Sequence, residues 1–173
     1  MFRRTTLLIW VGLMVGCQAG PAPLTDADRE AISSEIEGRN QAFVDLVGNS
    51  SDPEGIRPFY VSDPSWYFVG EPAVFAQSIR LLSTPDDVVE FFRPAAENRQ
   101  GTPMEVQNSH VAVLSRDMAL HVTFNHWAIV NNEGVRGETF PASVTNLWVR
   151  DGEEWKMLHT HQSWSNEPVG NSE

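Results

Sequence analysis

The second half of the chain has the periodicity of strands from Met104 onward. Four runs suited to strands follow one another there, at 104–115, 117–130, 137–150 and 154–164. Short turn signals rich in Asn, Asp and Gly separate these runs. Consecutive strands joined by short turns are typical of an antiparallel meander. This half of the chain is therefore predicted to form one sheet, which the first half must cover.

The first half of the chain carries the helical patterns. One helical face is marked by apolar residues spaced by four or seven positions: Ile32, Ile36, Phe43 and Val47. With Thr25 as N-cap, this spacing predicts a helix over 26–47 that ends at Gly48. Helices followed by an antiparallel meander indicate the α+β class, with a single curved sheet packed on the helices.

Shorter elements are predicted between this helix and the meander. We expect a short helix at 56–60, a strand at 66–69 and an irregular stretch at 70–82. Pro85 suits the first position of a second helix, where its missing N–H costs nothing. Pro94 is expected to kink or end that helix.

Length, charge and cysteine content restrict the classes of function. A chain of 173 residues is sufficient for one domain with a real core. The formal charge of −11 disfavours nucleic acid and anionic lipid surfaces as partners. The single cysteine excludes an internal disulfide. We find no zinc motif, phosphate-binding loop or nucleophile elbow, so no metal or cofactor is expected.

The N-terminus has the pattern of an export signal. Arg3 and Arg4 precede an apolar run at 7–15, which is too short to span a bilayer comfortably. Residues 14–17 (Met-Val-Gly-Cys) resemble the bacterial lipobox, and the resemblance implies cleavage before Cys17 and lipidation of its thiol. Attachment of several acyl chains anchors a protein stably to a membrane.

These features predict the organisation of the whole chain. We expect a signal peptide at 1–16, a lipidated tether at 17–24, one domain at 25–165 and a tail at 166–173. Gln18 follows the cysteine, and the absence of Asp there favours sorting to the outer membrane. The predicted location is therefore the cell envelope, with the domain facing the periplasm.

One segment supports a family resemblance. Residues 145–163 (TNLWVRDGEEWKMLHTHQS) resemble the last hairpin of the nuclear transport factor 2-like superfamily, most closely that of SnoaL-like proteins and the calcium/calmodulin-dependent kinase association domain. Residues 63–69 match the acid and aromatic strand of that family. The resemblance implies a cone-shaped fold over about 25–164, with a pocket inside the curved sheet, and a homodimer. Functions in this superfamily are diverse, so the fold leaves the function open.

The strand pattern predicts which residues face that pocket. A hairpin closing at 131–136 places Asn125 opposite Ala142 and His121 opposite Asn146. In the kinase association domain the positions matching Asn125 and Asn146 are arginines, so the resemblance does not extend to an anionic ligand.

The last hairpin extends the predicted face to the end of the sheet. We expect Trp148 to lie opposite Trp155 and Val144 to lie opposite His159, which brings His161 to the same face. A pocket lining of aromatic and polar residues results, as small-molecule sites require: Trp66, Phe68, His121, Thr123, Asn125, Trp127, Asn146, Trp148, His159 and His161. The opposite face is partly apolar and suits a homodimer: Leu120, Val122, Phe124, Ala128, Ser143, Thr145, Leu147, Val149, Leu158, Thr160 and Gln162.

Three functions remain open from the sequence. The first is non-catalytic binding of a small, partly apolar molecule. The second is an isomerase, dehydratase or cyclase that uses Asp63 or His121 as general base, with Tyr60 as a further candidate. The third is a homodimeric assembly module. A metal site of His121, His159 and His161 is disfavoured, because no carboxylate falls clearly on their predicted face.

Overall fold

A computed structural model gives the architecture of the chain. It describes residues 22–49, 52–62, 66–70, 79–97, 103–130, 133–165 and 167–170. For residues 49, 66–70, 79–80, 94–97 and 129 it describes the backbone alone. The predictions for the signal peptide, for Cys17 and for Asp63 therefore lie outside the described residues.

Two α-helices, a short 3₁₀ helix and six strands form the described part of the chain. Their bounds are α1 Asp26–Asn49, the 3₁₀ helix Pro53–Phe59, β1 Trp66–Gly70, β2 Ile79–Leu82, α2 Pro85–Glu97, β3 Met104–Ser115, β4 Met118–Val130, β5 Arg136–Asp151 and β6 Glu154–Trp164. None of the helices in these described ranges is long and apolar enough to cross a membrane.

The strands form one sheet in the order β2-β1-β6-β5-β4-β3. Strands β3 to β6 form the predicted antiparallel meander. β1 lies parallel to β6, and β2 pairs with β1 in the antiparallel direction at the sheet edge. This arrangement confirms the α+β class. β2 falls within the stretch expected to be irregular, and that prediction is wrong because a run of four residues is too short to show a period.

Helix α1 begins as predicted, with Thr25 as its cap. The Asp28 amide donates to Thr25 Oγ1 over 3.1 Å, and the Thr25 amide donates to Asp28 Oδ2 over 2.9 Å. Such reciprocal bonds satisfy backbone donors that the first turn leaves free. The hydrogen bond from Arg116 is the largest cause that holds the pKa of Asp28 well below its usual range, followed by the Thr25 amide.

The ends of both helices differ from the prediction. α1 continues through Gly48 to Asn49, and α2 continues past Pro94 to Glu97. Proline removes one backbone donor from a helix, and its ring crowds the carbonyl of the preceding turn. Pro94 lies within the last turn of α2, and the helix ends three residues after it, at Glu97.

The pairing of β4 with β5 agrees with the prediction. Asn125 pairs with Ala142, and His121 pairs with Asn146. These pairs fix which residues of the two strands share a face, because side chains alternate along each strand.

The pairing of β5 with β6 differs from the prediction. Gly152 adopts a φ of 66° in the tight turn, and Trp148 pairs with Met157, not with Trp155. A register shift follows, so that the next pair is Leu147 with His159. Leu158 is the extra residue of a β-bulge. Beyond the bulge the two faces of β6 are exchanged relative to the expected pattern.

Candidate functional site

The inner face of the sheet is buried along β4 and β5. His121, Thr123 and Asn125 are 1%, 3% and 0% exposed, whereas Phe124 between them is 57% exposed. This confirms the alternation predicted for β4. We call the buried set the inner layer, and its members are His121, Thr123, Asn125, Trp127, Ala142, Val144, Asn146, Trp148, Trp155, Met157, Thr160 and Gln162.

His121 has a hydrogen-bonded side and an unpaired side. Its Nε2 lies 2.8 Å from Ser109 Oγ, and Ser109 Oγ lies 3.4 Å from Glu37 Oε1. Its Nδ1 is buried, with no hydrogen-bond partner among the described residues. Burial, followed by the charge of His110, lowers the pKa of His121 to about 4. The ring is therefore neutral at pH 7 and can present a lone pair.

The two asparagines of the inner layer are bonded differently. Asn125 Nδ2 donates to Thr123 Oγ1 over 2.9 Å, while Asn125 Oδ1 has no partner within the described part of the chain. Asn146 Oδ1 accepts a hydrogen bond of 2.8 Å from the Thr160 hydroxyl. Asn125 therefore offers an acceptor to the interior, whereas the oxygen of Asn146 is already engaged.

The indole groups of the inner layer also differ in their bonding. Trp155 Nε1 donates to Glu35 Oε2 over 2.7 Å. The Nε1 atoms of Trp127 and Trp148 are buried without a partner in the described ranges. Two donors and two acceptors of the inner layer are thus left unbonded by the described residues.

Such atoms are unusual in a folded protein. A buried polar group without a partner costs about 1–3 kcal/mol, and native structures contain few of them. A bound water or ligand with both donor and acceptor groups would relieve this cost. The surrounding indole rings and aliphatic side chains would in turn favour a partly apolar molecule.

Comparison with known proteins identifies the family of this chain. The family model described as a SnoaL-like domain matches residues 67–167. The chain belongs to the SnoaL-like domain family. No curated protein matches the chain.

Solved structures similar to this SnoaL-like domain belong to proteins named for several different functions. A putative calcium/calmodulin-dependent protein kinase II association domain from Xanthomonas campestris has 13% identity and a TM-score of 0.62, with 77% of this chain and 87% of that chain covered. A putative scytalone dehydratase from Novosphingobium aromaticivorans has 12% identity and a TM-score of 0.66, with 82% and 89% covered. A hexachlorocyclohexane dehydrochlorinase LinA-type3 from Novosphingobium barchaimii has 15% identity and a TM-score of 0.65, with 85% and 96% covered. At these identities the similarity shows the fold alone.

Two histidines predicted to line the pocket of this SnoaL-like domain lie on the other face. His159 pairs with Leu147 and His161 pairs with Thr145, so both belong to the outer face of the sheet. The bulge at Leu158 is the physical reason, because one extra residue reverses the facing of all later ones. Thr160 and Gln162, assigned by the sequence to the outer face, take their places in the inner layer.

This correction separates the three histidines that the sequence analysis grouped. His121 is in the inner layer, whereas His159 and His161 are on the opposite face, so a metal site of these three cannot form. No cluster of three candidate metal ligands occurs among the described residues.

Of the remaining predicted residues, Tyr60 is buried beside β6, where its backbone forms a bridge with Met157. Tyr60 is 5% exposed, and its ring centroid lies 6.0 Å from that of Phe43. The backbones of Trp66 and Phe68 pair with His159 and His161, while their side chains lie outside the described residues. The prediction for Asp63 also lies outside them.

Sequence reasoning missed two polar residues that connect to His121, Ser109 and Glu37, and one buried polar residue of α1. Asn40 is 6% exposed on the face of α1 that carries Ile36, four positions earlier. A polar residue that continues an apolar helical row was the signal for it. Ser109 and Glu37 gave no such signal, because their link to His121 joins three separate elements.

A surface cleft of about 500 Å³ lies outside the inner layer, beside the start of α2. Its two cations are engaged by carboxylates, Arg57 by Asp86 and Lys156 by Asp151. The paired charges reduce the attraction that this cleft would exert on an anion, and the inner layer remains the stronger candidate site.

Proposed function

We propose that this SnoaL-like domain binds a small, partly apolar molecule against the inner layer and does not convert it. The supporting observation is the set of unbonded buried atoms: His121 Nδ1, Asn125 Oδ1, Trp127 Nε1 and Trp148 Nε1. These atoms supply both donors and acceptors, and the inner layer that carries them includes three buried indole groups. Together they match the common composition of ligand pockets, which are mostly apolar with a few placed polar groups.

The state of His121 favours binding over catalysis. A general base works best when its pKa lies near the operating pH. Burial lowers the pKa of His121 to about 4, so its basicity at neutral pH is weak. No carboxylate among the described residues forms a hydrogen bond with Nδ1, a contact that would raise the pKa of the ring.

Replacement of both asparagines tests the site. The probe is 2-naphthol, an uncharged aromatic alcohol, and its affinity is measured by calorimetry at pH 7.5. Asn125→Leu with Asn146→Leu is expected to abolish binding while circular dichroism shows a folded domain. Thr145→Val, on the outer face, is the matched control and should bind as the parent does. Unchanged affinity in the double variant would refute this site, and Asn125→Ala provides the same test if the double variant does not fold.

A second candidate function is base catalysis by His121. Its Nδ1 is buried and unbonded by the described residues, and proteins of similar fold are named as a putative dehydratase and a dehydrochlorinase. In an elimination, Nδ1 would take a proton, the C–H electron pair would form a double bond, and the leaving group would depart with its own pair.

Chloride release from hexachlorocyclohexane is a direct assay for this second function. Activity that is lost in His121→Gln and in Asp63→Asn would support it. Turnover that survives both changes would exclude a role for these residues as base.

We further propose that Cys17 is lipidated and holds the domain at the outer membrane, facing the periplasm. The support is the run of residues 14–17 after an apolar segment at 7–15. Cys17→Ser should move the protein from the membrane fraction to the soluble fraction after export. A variant that stays in the membrane fraction would contradict lipid anchoring.

The outer face supports a proposed homodimer. Phe124 is 57% exposed there, and Leu120, Val122 and Leu147 are partly exposed around it. An exposed apolar cluster on a sheet favours association. In sedimentation at micromolar concentration we expect a dimer that Phe124→Glu dissociates. A monomeric parent protein would count against this assembly.

A further inference from the structure

A short chain of hydrogen bonds links the surface of α1 to the interior. Glu37 on α1 contacts Ser109 on β3 over 3.4 Å, and Ser109 contacts His121 Nε2 on β4 over 2.8 Å. Ser109 stands between an exposed carboxylate and a ring that is 1% exposed.

The Glu37 carboxylate determines which groups donate and which accept in this series of hydrogen bonds. An ionised carboxylate can only accept hydrogen bonds, and a hydroxyl group has a single proton to give. The Ser109 proton therefore points to Glu37. The Ser109 oxygen then accepts from His121, which requires the proton of the ring to be on Nε2.

The tautomer determines what the interior presents. A neutral imidazole with its proton on Nε2 carries a lone pair on Nδ1. This Nδ1 and Asn125 Oδ1 are both buried without a partner among the described residues. Two acceptors of the inner layer are thus available on the same strand face.

We propose that Glu37 and Ser109 act as positioning residues that fix the tautomer of His121, so that the inner layer selects an uncharged molecule carrying an O–H or N–H group. The ligand class rests on the proposed function, whereas the tautomer is a property of the free protein. An anion could accept from the Trp127 and Trp148 N–H groups, but it would also face the lone pairs of His121 Nδ1 and Asn125 Oδ1. The buried residues of the described chain include no Asp, Glu, Lys or Arg, so an ion of either sign would lose its hydration without a charged partner.

Nitrogen-15 NMR of the histidine side chains tests the tautomer without any ligand. In the full chain at pH 7.5, we expect His121 to be protonated at Nε2. Ser109→Ala should convert it to a mixture of tautomers, and Ser109→Thr, which retains the hydroxyl, should restore the single form. Glu37→Gln should also produce a mixture, since an amide can donate or accept, whereas Glu30→Gln on the same helix should not. A proton on Nδ1 in the parent, or an unchanged tautomer in Ser109→Ala, would overturn the proposal.

Three related probes test the ligand class. We expect 2-naphthol to bind about tenfold more tightly than 2-methoxynaphthalene, because only the alcohol can donate a hydrogen bond. The anion 2-naphthoate should bind more weakly than both. Ser109→Ala should reduce the difference between alcohol and ether, while Ser109→Thr should preserve it.

The outcomes separate this inference from the proposed function. If the probes bind but the ether and the alcohol bind equally, the proposed selectivity is wrong. Binding of a small molecule at the inner layer is then still supported. If no probe binds although His121 is held as the Nε2–H tautomer, the ligand class is overturned together with the proposed function, and the positioning role of Ser109 stands.

Discussion

The hydroxyl of Thr160 on β6 donates a hydrogen bond of 2.8 Å to Asn146 Oδ1 on β5. Both residues are 3% exposed. The bond exists because the bulge at Leu158 turns Thr160 toward the interior. It supplies the buried amide oxygen of Asn146 with a donor at the β6 side of the inner layer.

Removal of this donor should destabilise the domain. In Thr160→Val the shape is kept, but Asn146 Oδ1 is left buried without its partner, which should lower the free energy of unfolding by about 1–3 kcal/mol. Urea titration measures the change. Thr145→Val, on the outer face, should change it by less than about 0.5 kcal/mol. Equal effects of the two substitutions would contradict the register on which the inner layer depends.

Glu35 should stabilise the domain through Trp155. Glu35 Oε2 accepts from Trp155 Nε1 and from Arg150, and these bonds, with Trp155 first, lower the pKa of Glu35 from its usual 4.5. Glu35→Ala removes the acceptor of the indole N–H, but because the Glu35 side chain is 51% exposed, water can replace it in part and the cost should be about 1 kcal/mol or less at pH 7.

The effect of Glu35 should also depend on pH in a fixed direction. Since its pKa is lower in the folded state than in the unfolded chain, its ionised form stabilises the fold above the unfolded pKa. That stabilisation is lost as the pH falls through the folded pKa. Urea titrations at pH 7 and pH 3 should therefore show a smaller difference between the parent and Glu35→Ala in acid. Glu30→Ala on the same helix is the control, and a difference that does not shrink would contradict the ionic part of this account.

Burial of His121 should make stability depend on pH in the mildly acidic range. Its pKa is about 4 in the folded domain, against about 6.5 in the unfolded chain, so the unfolded state binds more protons between these values. Stability should therefore be complete above about pH 6.5 and should fall by about 2 kcal/mol between pH 7 and pH 5. In His121→Gln this part of the pH dependence should disappear in urea titrations. A variant with the same slope as the parent would show that His121 is not buried in its neutral form.

Chemical modification should distinguish the two faces of the sheet. His161 is exposed, whereas His121 is 1% exposed. Diethyl pyrocarbonate should modify His161 at least about tenfold faster than His121, as measured by mass spectrometry of peptides from brief reactions, because the reagent must reach the ring nitrogen. Protection of His161 to the same extent as His121 would restore the register originally expected from the sequence, which places both rings on the inner face.

Much of the fold was predictable because the determining patterns are local. The cap at Thr25, the helical face of α1 and the turn signals of the meander are each visible within a few residues. The pairs of β4 and β5 followed from one turn position and from alternation. β2 was missed, since a run of four residues does not show a period.

The candidate site was less predictable because it depends on one extra residue. The bulge at Leu158 leaves no mark in the alternation of β6, yet it replaces His159 and His161 by Thr160 and Gln162 in the inner layer. The link from Glu37 to His121 was also hidden, because it joins α1, β3 and β4. Such contacts follow from the packing of distant segments and have no signature in any one of them.

The indole N–H signals of the tryptophans test the central claim most directly. During titration of the nitrogen-15-labelled full chain with 2-naphthol, we expect the signals of Trp127 and Trp148 to shift and to saturate together. Trp155, whose N–H is held by Glu35 over 2.7 Å, is the internal control and should shift little. Saturable shifts confined to Trp127 and Trp148 would agree with a ligand site on the inner layer. Unchanged signals for both at a high excess of probe, or equal shifts of all three, would contradict it.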